Sequence, residues 1–350
     1  MVATASAQPG PVIIDTDAGS DDVMAVSLLL SQPGLKIDAI TIAWRTHFCV
    51  PYSHSCEYSG VGTMAGPVRK VRANVHAGAR NMGRLLDLAG RKSVPVFAGR
   101  NAPLGGNAEF PTEWRRISDD LPGVPLPAAS RPPESRRAAG YLVQRLRSAP
   151  TPVRILALGP LTNIAEALER DHSIARNIRE IVIMGGAVQA PGNLQDGGVF
   201  HTNNNTAEWN IFIDPMAARI VFRSGAPIRL IALDAINKVK IDSEFALEFA
   251  EKSHSALGAV VAAVLHADQE SIDQGIFYAW DPLAAAALLR PAMVKTAAMH
   301  IEIKEEAPEQ GRTIASPGKP NAEVAVDADA PEFLALFLRS FVRNEKFTVP

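Results

Sequence analysis

The sequence predicts an α/β fold, a single domain built on an open, mostly parallel, Rossmann-like sheet with helices on both faces. Three observations carry that prediction. Short apolar, β-branched runs recur and alternate with segments of helical pattern, as in successive βαβ units. The first run ends in a cluster of acids and passes at once into an apolar helical segment, so the acids stand at the carboxyl end of a strand, where open α/β sheets bind ligands. The chain of 350 residues, 47% hydrophobic and 21% charged, suits one large α/β domain and shows no clean linker or repeat.

In chain order, residues 12–14 form the first strand and 23–30 the first helix, with Asp15, Asp17, Asp21 and Asp22 between them. Residues 37–43 give a second strand, 81–89 a helix and 94–98 a third strand. Residues 99–133 are rich in Pro, Gly and polar groups and read as a long ordered loop or lid. That stretch contains Phe110-Pro111-Thr112-Glu113-Trp114-Arg115. A helix over 135–148 leads to a strand at 153–158, and Gly159-Pro160-Leu161-Thr162-Asn163 opens the next helix. A strand at 181–184 closes on Gly185-Gly186; residues 217–222 are helical and 228–233 form a strand. Helices are expected around 244–252, 256–272 and 282–289, and over 331–343 after short strand signals.

Residues 45–72 look foreign to this pattern. They hold both cysteines, Cys49 and Cys56, and two of the four tyrosines, Tyr52 and Tyr58. His47-Phe48-Cys49 and His54-Ser55-Cys56 could suggest zinc, but the spacing matches no common zinc motif. An insertion at the rim of the site, or translated non-coding sequence, explains the stretch better. Two cysteines make no disulfide framework, which points to a reducing compartment, here the cytoplasm. The net charge of −2 argues against a nucleic-acid binder working through a basic surface. No apolar run approaches the ~20 residues a membrane span needs, and the N-terminus lacks the pattern of a secretory signal.

Four carboxylates in eight positions repel one another unless a cation or a hydrogen-bond network holds them. Asp21 and Asp22 could merely complement a helix dipole, and Asp15 or Asp17 could be turn residues. Neither reading accounts for all four, and a hard divalent cation does, because such ions take oxygen ligands. Amides and acids also stand where later strands end. These are Asn193 after Met184-Gly185-Gly186, Glu208-Trp209-Asn210 before Asp214-Pro215, and Asp281 after Trp280. Read as an extended segment, Glu208 and Asn210 share one face and Trp209 turns to the core. Paired carboxylates and amides suit a ligand rich in hydroxyls, such as a sugar. Asn193 taken alone would be a turn residue.

With these motifs in place, the chain resembles the nucleoside hydrolase family, the inosine-uridine-preferring hydrolases and their purine-specific relatives. Asp15-Thr16-Asp17-Ala18-Gly19-Ser20-Asp21-Asp22 looks like the family's acidic fingerprint, and Leu158-Gly159-Pro160-Leu161-Thr162-Asn163 and Ile183-Met184-Gly185-Gly186 look like its central motifs. The resemblance covers nearly the whole chain apart from 45–72. Trp280 stands where many members carry a His before the last metal-binding Asp. That residue, with Phe110–Arg115 and Ala207-Glu208-Trp209-Asn210, is similar to the inosine-adenosine-guanosine-preferring branch.

The resemblance implies the following roles. Asp17, Asp22, the Thr162 backbone carbonyl and Asp281 would bind Ca2+, with Asp17 also the general base on a calcium-bound water. Asp21, Asn193, Glu208 and Asn210 would hold the ribose, and Trp114 and Trp280 would sandwich the purine. Asp15 would support the metal site. Stacking on indole faces provides area and, for a protonated base, cation–π stabilisation. With no His before Asp281, leaving-group help is left to stacking and to protonation from solvent. His201 is a candidate acid, although a loop histidine is ordinarily solvated. The family's sugar-binding residue after the second strand has no counterpart at Ala43-Trp44, and Asn74 is its displaced equivalent if one exists. The expected partner is a small-molecule nucleoside, with no nucleic acid or membrane involved, and the family implies a homodimer or homotetramer.

Other readings compete. A nucleoside-binding protein whose catalysis is lost to the insertion would bind inosine with calcium and release no ribose. A broader-specificity hydrolase would cleave uridine as well. A phosphatase of the haloacid dehalogenase type also uses Asp-x-Asp after its first strand. It needs a nucleophilic Asp and a downstream Lys, and it leaves the sugar-binding set unexplained.

Overall fold

The computed structural model describes residues 10–43, 75–198 and 200–342. The 45–72 segment, with its His-x-Cys pairs, and Asn74 lie outside the described residues.

Among the described residues nine strands form one sheet. They are β1 Val12–Thr16, β2 Ile37–Ile42, β3 Val96–Ala98, β4 Val153–Ala157, β5 Ile178–Met184, β6 Ile228–Ile231, β7 Val294–Ile303, β8 Thr313–Ser316 and β9 Ala322–Ala328. Their spatial order is β3-β2-β1-β4-β5-β6-β9-β7-β8. The pairs from β3 through β6 to β9 are parallel, and β7 runs antiparallel to β9 and β8. The α/β architecture with a mostly parallel sheet is therefore as the sequence predicts. The chain builds outward from β1 to β3, then returns to the other side of β1 with β4. That reversal opens a crevice at the carboxyl ends of β1 and β4, the usual ligand site of such sheets.

The helices are α1 Ser20–Leu30, α2 Val75–Leu88, α3 Thr112–Asp120, α4 Ala138–Arg147, α5 Thr162–Arg170, α6 Trp209–Ile213 and α7 Pro215–Phe222, followed by α8 Leu233–Ile236, α9 Ser243–Lys252, α10 Ala256–Ala267, α11 Gln269–Asp273, α12 Trp280–Leu289 and α13 Ala330–Arg339. They cover both faces. Along β1, Val12 and Ile14 pack into one apolar core while Ile13 packs into the other. Side chains alternate across a strand, and parallel sheets bury both faces, so this strand is a continuous apolar run.

Three local expectations differ from the structure. The 99–133 stretch contains α3, which its polar composition hides; only spaced residues such as Arg115 and Ser118 are buried on it. The helix expected over 256–272 breaks at Asp268 into α10 and α11. The extended reading of 208–210 gives way to the start of α6, because the Glu208 side chain caps it by accepting from the Asn210 and Ile211 N–H groups. Among the described residues no helix is long and apolar enough to cross a membrane.

Candidate active site

The acids of the first turn are placed by local backbone chemistry. Ala18 adopts a left-handed φ of 65°, which turns the chain sharply between β1 and α1. The turn is tied by the Ala18 N–H to Thr16 Oγ1 at 3.0 Å and the Gly19 N–H to Asp22 Oδ2 at 2.7 Å, while the Thr16 hydroxyl donates to Asp22 Oδ1. The Gly19 N–H also lies 3.2 Å from Asp17 Oδ1. Gly159, just past β4, is required here. A Cβ on it would stand 2.9 Å from the Asp17 Cβ and 3.0 Å from its backbone nitrogen.

Asp15 faces the sheet interior. Its register partner on β2 is Thr41, whose hydroxyl donates to Asp15 Oδ1, and Asn163 Nδ2 donates to the same oxygen at 2.8 Å. Burial pushes the Asp15 carboxyl up to about 7, with the Asp17 charge adding to the rise and the two donors opposing it. Gly99 closes over this network, since a Cβ there would meet Asn163 Oδ1 at 2.2 Å. The sequence motif shows Asn163 without showing this role, which depends on β1 and α5 meeting in space.

Asp281 enters from the first turn of α12 and is 1% exposed. Among the described residues no hydrogen-bond donor reaches either of its carboxylate oxygens. Burial raises its pKa well above the ordinary range, followed by the charges of Asp22, Asp21 and Asp17. The Asp22 carboxyl lies against it, a contact that is a hydrogen bond only if one of the pair carries a proton. One oxygen each of Asp21, Asp22 and Asp281 falls within a 4.8 Å cluster. Hard oxygen donors packed together, with Asp281 unsatisfied among the described residues, fit a hard divalent cation.

A cavity of about 240 Å³ opens beside this cluster, and Asp17, Asp21 and Asp22 line it. That size suits one small ligand. The sugar-type residues line it too, in the form of Asn193, Glu208 and Asn210. Their hydrogen bonds fix what each can still offer. Asn193 Oδ1 accepts from the Trp209 backbone N–H at 3.1 Å, so its Nδ2 is what it has left to offer, as a donor. Asn210 Nδ2 is spent on the carbonyls of Leu158, at 3.1 Å, and Met184, at 3.2 Å, so its Oδ1 is the acceptor. Glu208 takes backbone N–H bonds from Asn210 at 2.8 Å, Gly186 at 2.9 Å and Ile211 at 3.2 Å. Burial nevertheless pushes its carboxyl up to about 7.

Both predicted tryptophans line the same cavity from different elements, Trp114 from α3 and Trp280 from the start of α12. Trp114 meets Trp209 edge-on at 5.4 Å, and Trp280 meets Phe277 at 5.3 Å. Trp209 is buried as expected, yet it also lines the cavity. Asn81 on α2 holds α3 in place by donating to the Ser118 and Asp119 carbonyls at 3.1 and 3.0 Å.

Thr162 is not among the residues lining the cavity. Its hydroxyl donates to Asp214 at 2.7 Å, and as the first residue of α5 its carbonyl belongs to that helix's ladder. Leu158 does line the cavity, at the end of β4. His201 is exposed and outside the cavity lining. Sequence reasoning also missed Asp268, which lines the cavity and whose carboxyl is pushed up to about 6 by burial and by Asp21, against a hydrogen bond from Ser20. No motif marks it, because its position follows from the break between α10 and α11.

The model of the family described as inosine-uridine preferring nucleoside hydrolase matches residues 43–335. The chain is 33% identical over 284 residues to uridine nucleosidase 1 of Arabidopsis thaliana, covering 80% of this chain and 74% of the relative. It is 32% identical over 338 residues to the pyrimidine-specific ribonucleoside hydrolase RihA of Citrobacter koseri, covering 93% and 96%. A solved plant nucleoside hydrolase superposes with a TM-score of 0.79 at 28% identity, over 96% of this chain and all of that one, 100%. A purine-preferring ribonucleoside hydrolase from Gardnerella vaginalis does so with 0.76 at 26%, over 95% and 98%.

Proposed function

The chain belongs to the inosine-uridine preferring nucleoside hydrolase family, and from that premise we propose that it hydrolyses purine ribonucleosides to free base and ribose. Membership makes it a hydrolase acting on N-glycosyl compounds. The observation that carries the purine preference is the pair of indoles, Trp114 and Trp280, lining one cavity from separate elements. Indole faces favour the larger bicyclic base by area and stabilise it further if it protonates.

The oxygen-rich cluster of Asp21, Asp22 and Asp281 supports a hard divalent cation, which we read as calcium; Asp17, which lines the adjoining cavity, would hold it with Asp22, Asp281 and a backbone carbonyl, that of Thr162 or of the cavity-lining Leu158. Bound there, the ion would orient a water and make it more acidic. Asp17 takes the proton of the attacking water as general base. Asp21, Asn210 and Glu208 accept from ribose hydroxyls while Asn193 donates to one. These contacts tighten as the sugar flattens toward an oxocarbenium-like state. The water oxygen bonds to C1′, the electron pair of the C1′–N bond leaves with the base, and solvent supplies the proton that the base takes up. Asp15 holds the turn from beneath through Thr41 and Asn163.

The names of the Arabidopsis and Citrobacter relatives favour a second reading, a hydrolase that takes uridine in preference to purines. A panel of inosine, guanosine, adenosine, uridine and cytidine, assayed for ribose release with and without a chelator, separates the two. Faster cleavage of uridine than of inosine overturns the purine preference, and ribose release untouched by chelation overturns the cation.

A further inference from the structure

A base held between Trp114 and Trp280 must present its edge to some other part of the cavity. The polar side chains lining that part are few. Ser118 donates to the Trp114 carbonyl at 2.9 Å, and Asp196 is exposed at the edge of the lining. Ser20, Asp268 and Ser271 remain, the last two one helical turn apart. Asp268 stands at the N-cap of α11, where an aspartate ordinarily accepts from the helix's own N–H groups, yet its side chain makes no such bond. Asp268 instead lines the cavity with Ser20.

We propose that Asp268 and Ser271 read the base edge and select 6-oxopurine nucleosides, inosine and guanosine, over adenosine. This rests on the purine reading above and goes further by naming the purine class. A carboxylate only accepts hydrogen bonds. It pairs with the N1–H of hypoxanthine and with the N1–H and 2-amino group of guanine, while the Ser271 hydroxyl donates to O6. Adenine offers a lone pair at N1, which faces the carboxylate unfavourably. A site built around a substrate N–H penalises the analogue that lacks it, because its own polar group is left unpaired. Asp268 is thus a specificity residue that touches the base, and the bond-breaking steps belong to the other acids.

The test is the ratio of kcat/KM for inosine to that for adenosine, in the full chain and in Asp268→Asn and Asp268→Ala. An asparagine amide can pair with adenine as well as with hypoxanthine. The expected result is a wild-type ratio well above one that falls about tenfold to a hundredfold in Asp268→Asn. Cleavage of 1-methylinosine, which lacks the N1–H, should drop toward that of adenosine. A loss of folding would lower both substrates together and leave the ratio in place, so the ratio isolates recognition. An unchanged ratio in both variants overturns the assignment of Asp268. A wild-type protein that cleaves uridine and neither purine overturns the purine reading itself, and the same panel shows this before any variant is made.

Discussion

The two ends of α12 bury charge in opposite ways. At its N-terminal end Asp281 is 1% exposed, and no donor among the described residues reaches its oxygens. At its C-terminal end Arg154 is 7% exposed and donates to the carbonyls of Leu288 at 3.0 Å and Gly10 at 3.3 Å, with only Nε left over. Arg229 reaches the Ala287 carbonyl at 3.4 Å and Glu180 at 2.8 Å. Both ends obey the helix dipole, acid at the start and base at the finish. Among the described residues, only the arginine end is satisfied by protein groups. A buried charge with partners secures the fold, whereas one without them costs stability until something else binds.

The largest effect expected from this contrast is at Asp281. Asp281→Asn should lower kcat/KM about a thousandfold or more. The metal-free variant should also melt higher than wild type, because a neutral amide replaces an unpaired buried carboxylate. Calcium, which at a hundred times its Kd would stabilise the wild type by about 2.7 kcal/mol, should no longer raise its Tm. A variant that melts lower without calcium would break the contrast, since Asp281 would then be a structural group like Arg154.

Trp280, beside Asp281, tests whether the same helix end serves the base. Trp280→Ala should reduce the kcat/KM ratio of inosine to uridine by roughly tenfold to a hundredfold, measured with both substrates under the same conditions.

Glu208 sharpens the contrast within the acid end, because three backbone N–H groups hold it. Its carboxyl is raised by burial from 4.5 to about 7, and the ionised form is the better ribose acceptor. In the proposed reaction kcat/KM should therefore fall as pH drops through about 7, by up to about tenfold per pH unit, and Glu208→Gln should lose that limb. Stability runs the other way. The folded state holds this proton more tightly than the unfolded chain, so the metal-free protein should lose stability as pH rises from 4.5 to about 7. A denaturation series across that window in chelator checks the sign.

The smallest effect on activity is expected at the other end of α12. Arg154→Met should leave kcat/KM within about twofold while costing roughly 1–3 kcal/mol of stability in urea unfolding. A loss of activity comparable to that of Asp281→Asn would show that the two ends are not separate in function.

Much of the fold was legible because its signals are local. The apolar runs at β1, β2, β4, β5 and β6 and the helical pattern of α12 appear directly in the residues. The sharp passage from Ile14 to Val23 announced a strand, a turn and a helix before any coordinate. The misses were short or polar. α3 hides among prolines and charges, and α6 begins because the Glu208 side chain supplies a cap rather than because its residues favour helix. The 45–72 stretch, with Asn74 beyond it, lies outside the described residues.

The sequence by itself determined the fold class and the family, through ordered motifs and hydrophobic periodicity, both of which are properties of neighbours in the chain. It also supplied nearly all the polar groups of the cavity. Only the tertiary structure decided how those groups divide their hydrogen bonds. It turned the Thr162 hydroxyl toward Asp214, set Leu158 at the cavity, left the Asp281 oxygens without donors among the described residues and left Asp268 without a cap bond to its own helix. The physical reason is that each of these outcomes depends on donors and acceptors from strands and helices far apart in sequence. The sheet brings them together at the switch between β1 and β4, and no spacing along the chain encodes that meeting.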